Sequence, residues 1–181
     1  MAKWTALLLA ILVMATCAAA VAAAEQEKTP VALTFELYMP TNSSTRDVFG
    51  ATWAGFGLDV LRPQETEKWR PLFSVHGMSA DNDGDATIFG INFGMQKAFG
   101  DKDAKTQPFV VLRAGPYHGD ISVPGLGIDE SKWGLNANAE AGLLFNKRFV
   151  IKARYDFYSK IGGFSFDGFT FSAGVKLFDI K

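Results

Sequence analysis

Between residues 31 and 178, apolar and polar side chains alternate with a period of two, in short runs separated by turn-forming residues. That period belongs to strands whose two faces meet different surroundings; helices repeat their apolar positions every three to four residues. Eight runs are readable: 31–39, 49–61, 71–79, 87–97, 108–117, 133–145, 149–157 and 168–178. In the first, Val31, Leu33, Phe35, Leu37 and Met39 share one face, with Ala32, Thr34, Glu36 and Tyr38 on the other. In the fourth, Phe89, Ile91, Phe93 and Met95 alternate with Gly90, Asn92, Gly94 and Gln96. The last sets Phe169, Phe171, Ala173, Val175 and Leu177 against Thr170, Ser172, Gly174 and Lys176. Pro40, Pro63, Pro71 and Pro108 stand at run edges, where a missing N–H does least harm. Most runs approach the roughly 9–11 residues with which a tilted strand crosses a bilayer.

Alternation alone fits a soluble barrel with its apolar face inward as well as a membrane barrel with that face outward. The polar face separates the two. A soluble barrel exposes Lys, Glu, Thr and Gln freely. Here the polar face is largely Gly, Ala, Ser and Asn, with isolated charges at Glu36, Asp59, Arg113, Glu140, Lys152, Arg154, Asp156 and Lys176. Small side chains suit the narrow interior of an eight-strand barrel, and charges enclosed there must pair, because an unpaired buried charge is costly. The bulky Phe, Leu, Ile and Met of the other face suit lipid. Trp53, Trp69, Trp133, Tyr117 and Tyr155 are expected in aromatic girdles at the membrane interfaces. With a periplasmic N-terminus, connections 40–48, 80–86, 118–132 and 159–167 face outward, and 62–70, 98–107 and Asn146-Lys147 face inward. The longest connection is then outside and a two-residue turn inside, the usual asymmetry of such barrels.

The first 24 residues differ in kind. Lys3 is the only charge, an apolar run follows from Leu7 to Met14, and Ala22-Ala23-Ala24 precedes the polar Glu25. A positive start, a short apolar core and small residues at the exit describe a cleaved secretory signal peptide. Residues 1–24 are therefore expected to leave, and 25–181 to form a single β-barrel domain, as a length of 181 residues allows. Cys17, the single cysteine, leaves with the leader, so no disulfide or thiol chemistry is expected. Charge adds an exclusion: 18 Lys plus Arg against 19 Asp plus Glu offers no basic excess for nucleic acid.

The signal peptide, the eight alternating strands and the final run from Phe169 to Phe178 resemble the small outer-membrane barrels of the OmpA/OmpX type. The resemblance is architectural and covers about residues 31–178. It implies an all-β, eight-stranded antiparallel up-and-down transmembrane barrel in the outer membrane of a double-membraned bacterium, both termini periplasmic. The expected role is structural or surface interaction, with a side-chain-filled interior and no catalysis. The expected partners are outer-membrane lipid and an extracellular partner at the outer loops; the barrel is expected to be a monomer, without cofactor. A soluble periplasmic lipocalin-like barrel holding a small apolar ligand, and an outer-membrane lipid-modifying enzyme, are the alternatives.

Candidate chemistry is sparse, and no catalytic, cofactor or metal residue is assigned. The carboxylates of Asp81, Asp83 and Asp85 are spaced like the opening of a calcium loop, but Ala86 stands where such a loop needs glycine and Asn92 where it needs glutamate. A solvated acidic turn is the simpler expectation. Ser74 and His76 share a strand face, and His118 opens the longest outer connection; hydrolases combine Ser, His and an acid, but no acid is placed by sequence. The segment 121–127 is expected to be an outer loop, either binding a partner or serving only as a flexible connection.

Overall fold

The computed structural model describes residues 29–60, 68–101 and 103–180; the expected leader 1–24, with Cys17, lies outside the described residues. Eight antiparallel strands follow one another in chain order and close into a barrel. They are β1 (Thr29–Pro40), β2 (Trp53–Val60), β3 (Trp69–Asp81), β4 (Asp85–Ala98), β5 (Thr106–Val123), β6 (Ile128–Phe145), β7 (Phe149–Tyr158) and β8 (Gly168–Ile180). β1 pairs with β8 antiparallel and completes the wall. The inner turn between β6 and β7 is tight: Asn146 and Lys147 both adopt positive φ, and Arg148 N–H bonds to the Phe145 carbonyl at 2.9 Å. Two left-handed central residues match the twist of the flanking strands.

The two faces fall as the alternation predicts. Phe35 is 73% exposed and Leu135 71%, in an outward apolar belt with Phe56, Phe93, Leu112, Ile151 and Phe171. Trp69, Phe149 and Phe178 mark its inner rim and Trp133 and Phe157 its outer rim. The apolar face is thus outside, which overturns the lipocalin-like alternative. The polar face is inside: Thr34, Glu36, Asp59, Ser74, His76, Asn92, Arg113, Asn138, Glu140, Lys152, Arg154, Asp156 and Thr170 are all buried.

Three elements differ from the sequence expectations. The outer connection 40–48 contains a short helix, α1 (Ser43–Phe49), so β2 begins at Trp53 and not at residue 49. Asn42 caps the helix, its Oδ1 accepting the Thr45 N–H at 3.1 Å, and the i,i+4 pair Thr45 and Phe49 is buried. The connection 118–132 is mostly strand: β5 and β6 continue to Val123 and Ile128 as a hairpin closed by a 3-10 turn (Pro124–Leu126). Ile121 and Val123 of the expected outer loop are buried. Trp53 and Tyr117 are not girdle residues. Trp53 pairs with Tyr38 and is in phase with Gly55 and Gly57, while Tyr117 is in phase with Gly115 and Arg113, so strand parity turns both inward.

Large inward groups sit over glycines. Ideal Cβ atoms placed on Gly90, Gly134 and Gly168 would lie 2.5, 2.5 and 2.6 Å from the rings of His76, Tyr117 and Tyr38. Gly115 is tightest, at 1.9 Å from the Ile91 carbonyl oxygen. Gly115→Ala should therefore destabilise the barrel by about 1–3 kcal/mol, the usual cost of overpacking, read as a lowered urea midpoint of the heat-shifted gel band. Gly125→Ala, with nothing within 4 Å of its Cβ position, should leave the midpoint unchanged.

Candidate functional site

The interior is built in three tiers. At the inner end Leu72, Ala98, Phe109, Val111 and Val150 pack with Leu144. At the outer end Tyr38, Trp53, Met78, Ile88, Tyr117, Ile121 and Tyr158 point inward from the wall; Phe49 of α1 and Ile161, Phe164 and Phe166 of the β7–β8 connection fill the space between them. The rings interlock edge to face: Phe49 and Phe164 centroids lie 5.1 Å apart, Tyr38 and Trp53 5.2 Å. Two wall phenols hold the connection in place, Tyr38 donating to the Phe166 carbonyl and Tyr117 to the Ser159 carbonyl. The outer mouth is therefore stoppered by apolar side chains.

Between the apolar tiers lies the charged one. Arg113 donates to Asp59 at 2.8 Å, to Ser74 Oγ at 2.9 Å and to Glu140. Lys152 reaches the other oxygen of Asp59 at 2.5 Å. Arg154 takes both Glu36 oxygens, at 3.1 and 2.9 Å, and its Nε reaches Asp156 Oδ2 at 2.8 Å. Thr170 Oγ1 donates to the same Asp156 oxygen at 2.7 Å. Three cations thus meet four carboxylates in this tier.

Ser74 and His76 are brought into this tier but not to each other. Ser74 accepts from Arg113, while His76 Nδ1 meets Asn92 at 3.0 Å and Nε2 meets the Tyr158 hydroxyl at 3.0 Å. Both imidazole nitrogens are occupied, so the pair is part of the packing. Asp81 and Asp85 face each other across the β3–β4 turn, and Gly84 N–H bonds to the Val48 carbonyl at 3.1 Å, tying that turn to α1. Among the described residues no three His, Cys, Asp or Glu side chains are grouped to hold a metal ion.

The β5–β6 hairpin rises past its neighbours. β7 joins β6 only from Tyr158, opposite Asn136. Just above, Ser159 N–H bonds to the Leu135 carbonyl at 2.9 Å, and Leu135 N–H bonds to Ser159 Oγ at 3.0 Å. Leu135 thus aims its backbone away from β5. The β5–β6 register is unbroken, so Asp129, Ser131 and Trp133 aim theirs the same way. Among the described residues no backbone hydrogen bond meets these three on that side. The same alternation makes Asp120–Ser131 and His118–Trp133 non-hydrogen-bonded pairs, whose side chains approach most closely. His118 accordingly has Nδ1 3.3 Å from Asp120 Oδ2, Nε2 3.3 Å from Ser131 Oγ, and its ring 4.9 Å from that of Trp133. The sequence marked His118 but neither Ser131 nor the free edge; both depend on a register that no local pattern carries.

No family model matches the chain, and no curated protein matches it. Solved structures do. Neisserial surface protein A is 14% identical, with a TM-score of 0.59, over 82% of this chain and 96% of that one. The outer membrane enzyme PagL is 12% identical, TM-score 0.54, over 81% and 98%. Ail, the attachment invasion locus protein of Yersinia pestis, is 18% identical, TM-score 0.53, over 83% and 99%. The chain has the fold of the eight-stranded outer-membrane barrels, and with its outward apolar belt that fold places it in the outer membrane.

Arg154→Met should cost about 3–5 kcal/mol of stability, because Glu36 and Asp156 remain buried without their partner. Lys147→Met, which removes an exposed pair with Asp103, should change it by less than about 1 kcal/mol. Denaturant titration of the refolded barrel separates the two.

Proposed function

We propose that this outer-membrane barrel has a structural and surface-interaction role, that its lumen passes no solute, and that its working surface is the free β6 edge. The observation that carries this is the row of unpaired backbone groups at Asp129, Ser131 and Trp133, held above the apolar belt on a strand braced by β5. An unpaired strand edge is a template for strand addition by an extended peptide. Around it the outer end is acidic, with Asp47, Asp81, Asp83, Asp85, Asp120, Asp129, Glu130 and Asp167 against Arg46, Lys132 and Lys160, so the fitting partner is a cationic extended segment of an extracellular polypeptide. The stopper and the paired charges support a closed lumen that carries no reaction. A monomeric barrel suffices for all of this.

Two measurements test it. In planar bilayers the protein should show no steady conductance, and ion flow through single barrels would refute the closed lumen. In nanodiscs it should bind a fluorescent heptapeptide of alternating Lys and Val. Asp129→Pro deletes an edge-facing N–H that the β5 ladder does not use, and should weaken binding at least about tenfold, more than 1.4 kcal/mol, without loss of the folded gel band. Equal affinity for the same peptide N-methylated on alternate residues would mean charge attraction alone and would sink strand addition.

A further inference from the structure

The hairpin carries a second arrangement, on its outward face and not at its edge. Asp120 and His118 lie two residues apart on β5, and Ser131 stands opposite Asp120 on β6. The Asp120 carboxylate lies 3.3 Å from Nδ1 and the Ser131 hydroxyl 3.3 Å from Nε2, so the two ring nitrogens are flanked by an acid and by a hydroxyl. The Trp133 ring packs edge-on against the imidazole and limits its rotation. We propose that Ser131, His118 and Asp120 form a hydrolytic site for acyl esters of membrane amphiphiles at the outer interface.

Its remaining parts are also in place. The N–H of Ser131 points to the open side of β6, where no described backbone group meets it, and supplies a donor for a carbonyl oxygen that becomes negative during attack. One row toward the membrane, Trp133 (62% exposed) and Leu135 continue into the apolar belt, a surface for an acyl chain. One row away from it are Ser122 and Asp129, on the aqueous side. An ester lying across the interface thus presents its carbonyl at the level of Ser131.

The chemistry balances with water alone. Ser131 Oγ attacks the carbonyl carbon while His118 Nε2 takes its proton. The ester C–O bond breaks, and the leaving alcohol recovers that proton from His118. A water then attacks the acyl-serine, His118 takes its proton and returns it to Ser131 Oγ, and a carboxylic acid departs. Asp120 is a positioning residue that acts through His118. This goes beyond the surface-interaction role and departs from the non-enzymatic expectation; it shares the β6 edge but needs no partner strand.

The test uses the full-length protein, recovered from outer membranes in detergent micelles and shown to be folded by its heat-shifted gel band. A fluorophosphonate probe should leave an adduct that mass spectrometry places on Ser131, and the protein should hydrolyse 4-nitrophenyl octanoate. Ser131→Ala and His118→Gln should each lower that rate at least about 100-fold, the low end of what a positioned base contributes, and should remove the adduct. Asp120→Asn should lower kcat with KM unchanged, and Asp120→Glu should restore part of it. Absence of the Ser131 adduct on folded wild-type protein, or an unchanged rate in Ser131→Ala, overturns the proposal. Folded wild-type protein that binds the peptide but forms no Ser131 adduct, or that hydrolyses the ester but binds no peptide, would sink one idea and leave the other standing.

Discussion

The interior of an eight-strand barrel is only wide enough for side chains, and nearly everything else in this protein follows from that shortage of space. A large inward group can be housed only where a neighbouring strand gives up its own side chain. Tyr117 lies over Gly134, Tyr38 over Gly168 and His76 over Gly90. The glycines that look like weak points in the strands are thus the complement of the aromatic and charged groups that fill the lumen. Volume also decides the charges. Where Arg113, Lys152 and Arg154 fill the lumen, each carboxylate meets a cation directly, and the side chains interlock into two clusters, one around Arg113 and Lys152 and one around Arg154.

The strands and their faces were legible because a period of two needs only local sequence. All eight runs became strands, and residues such as Glu36, Arg113 and Asp156 lie on the face their parity assigns. What escaped was set by contacts far apart in the chain. Trp53 and Tyr117 have the composition of girdle residues, and only their phase relative to glycines on the same strand shows that they point inward. The segment 118–132 is punctuated by Gly119, Pro124, Gly125 and Gly127 and reads as loop, yet Ile121 and Val123 have an apolar stopper to join, and the strand continues to reach it. α1 is a helix of about two turns, too brief for its period to show beside Ser43, Ser44 and Thr45.

The outer hairpin is where closure stops protecting the backbone. Within the membrane every strand has two neighbours, as the absence of water there requires. Above it β6 keeps only β5, while the β7–β8 connection turns inward to fill the mouth and leaves that side of β6 open. The sealing of the lumen and the exposure of the edge are therefore one event in the chain path. The same open side leaves the Ser131 N–H unmet by any described backbone group, so the proposed strand addition and the proposed ester hydrolysis both rest on the shortness of β7.

The stopper also depends on the closure of the wall. Its Phe166 carbonyl is held by Tyr38 on the first strand, 128 residues away in sequence, and its Ser159 carbonyl by Tyr117 on the fifth. Phe166 lies just before the last strand, so its bond to Tyr38 bridges the seam where the two ends of the sheet meet. A barrel whose seam is still open has no second half for this clasp to grip. The clasp between Tyr38 and Phe166 therefore exists only where the first and last strands have been brought together.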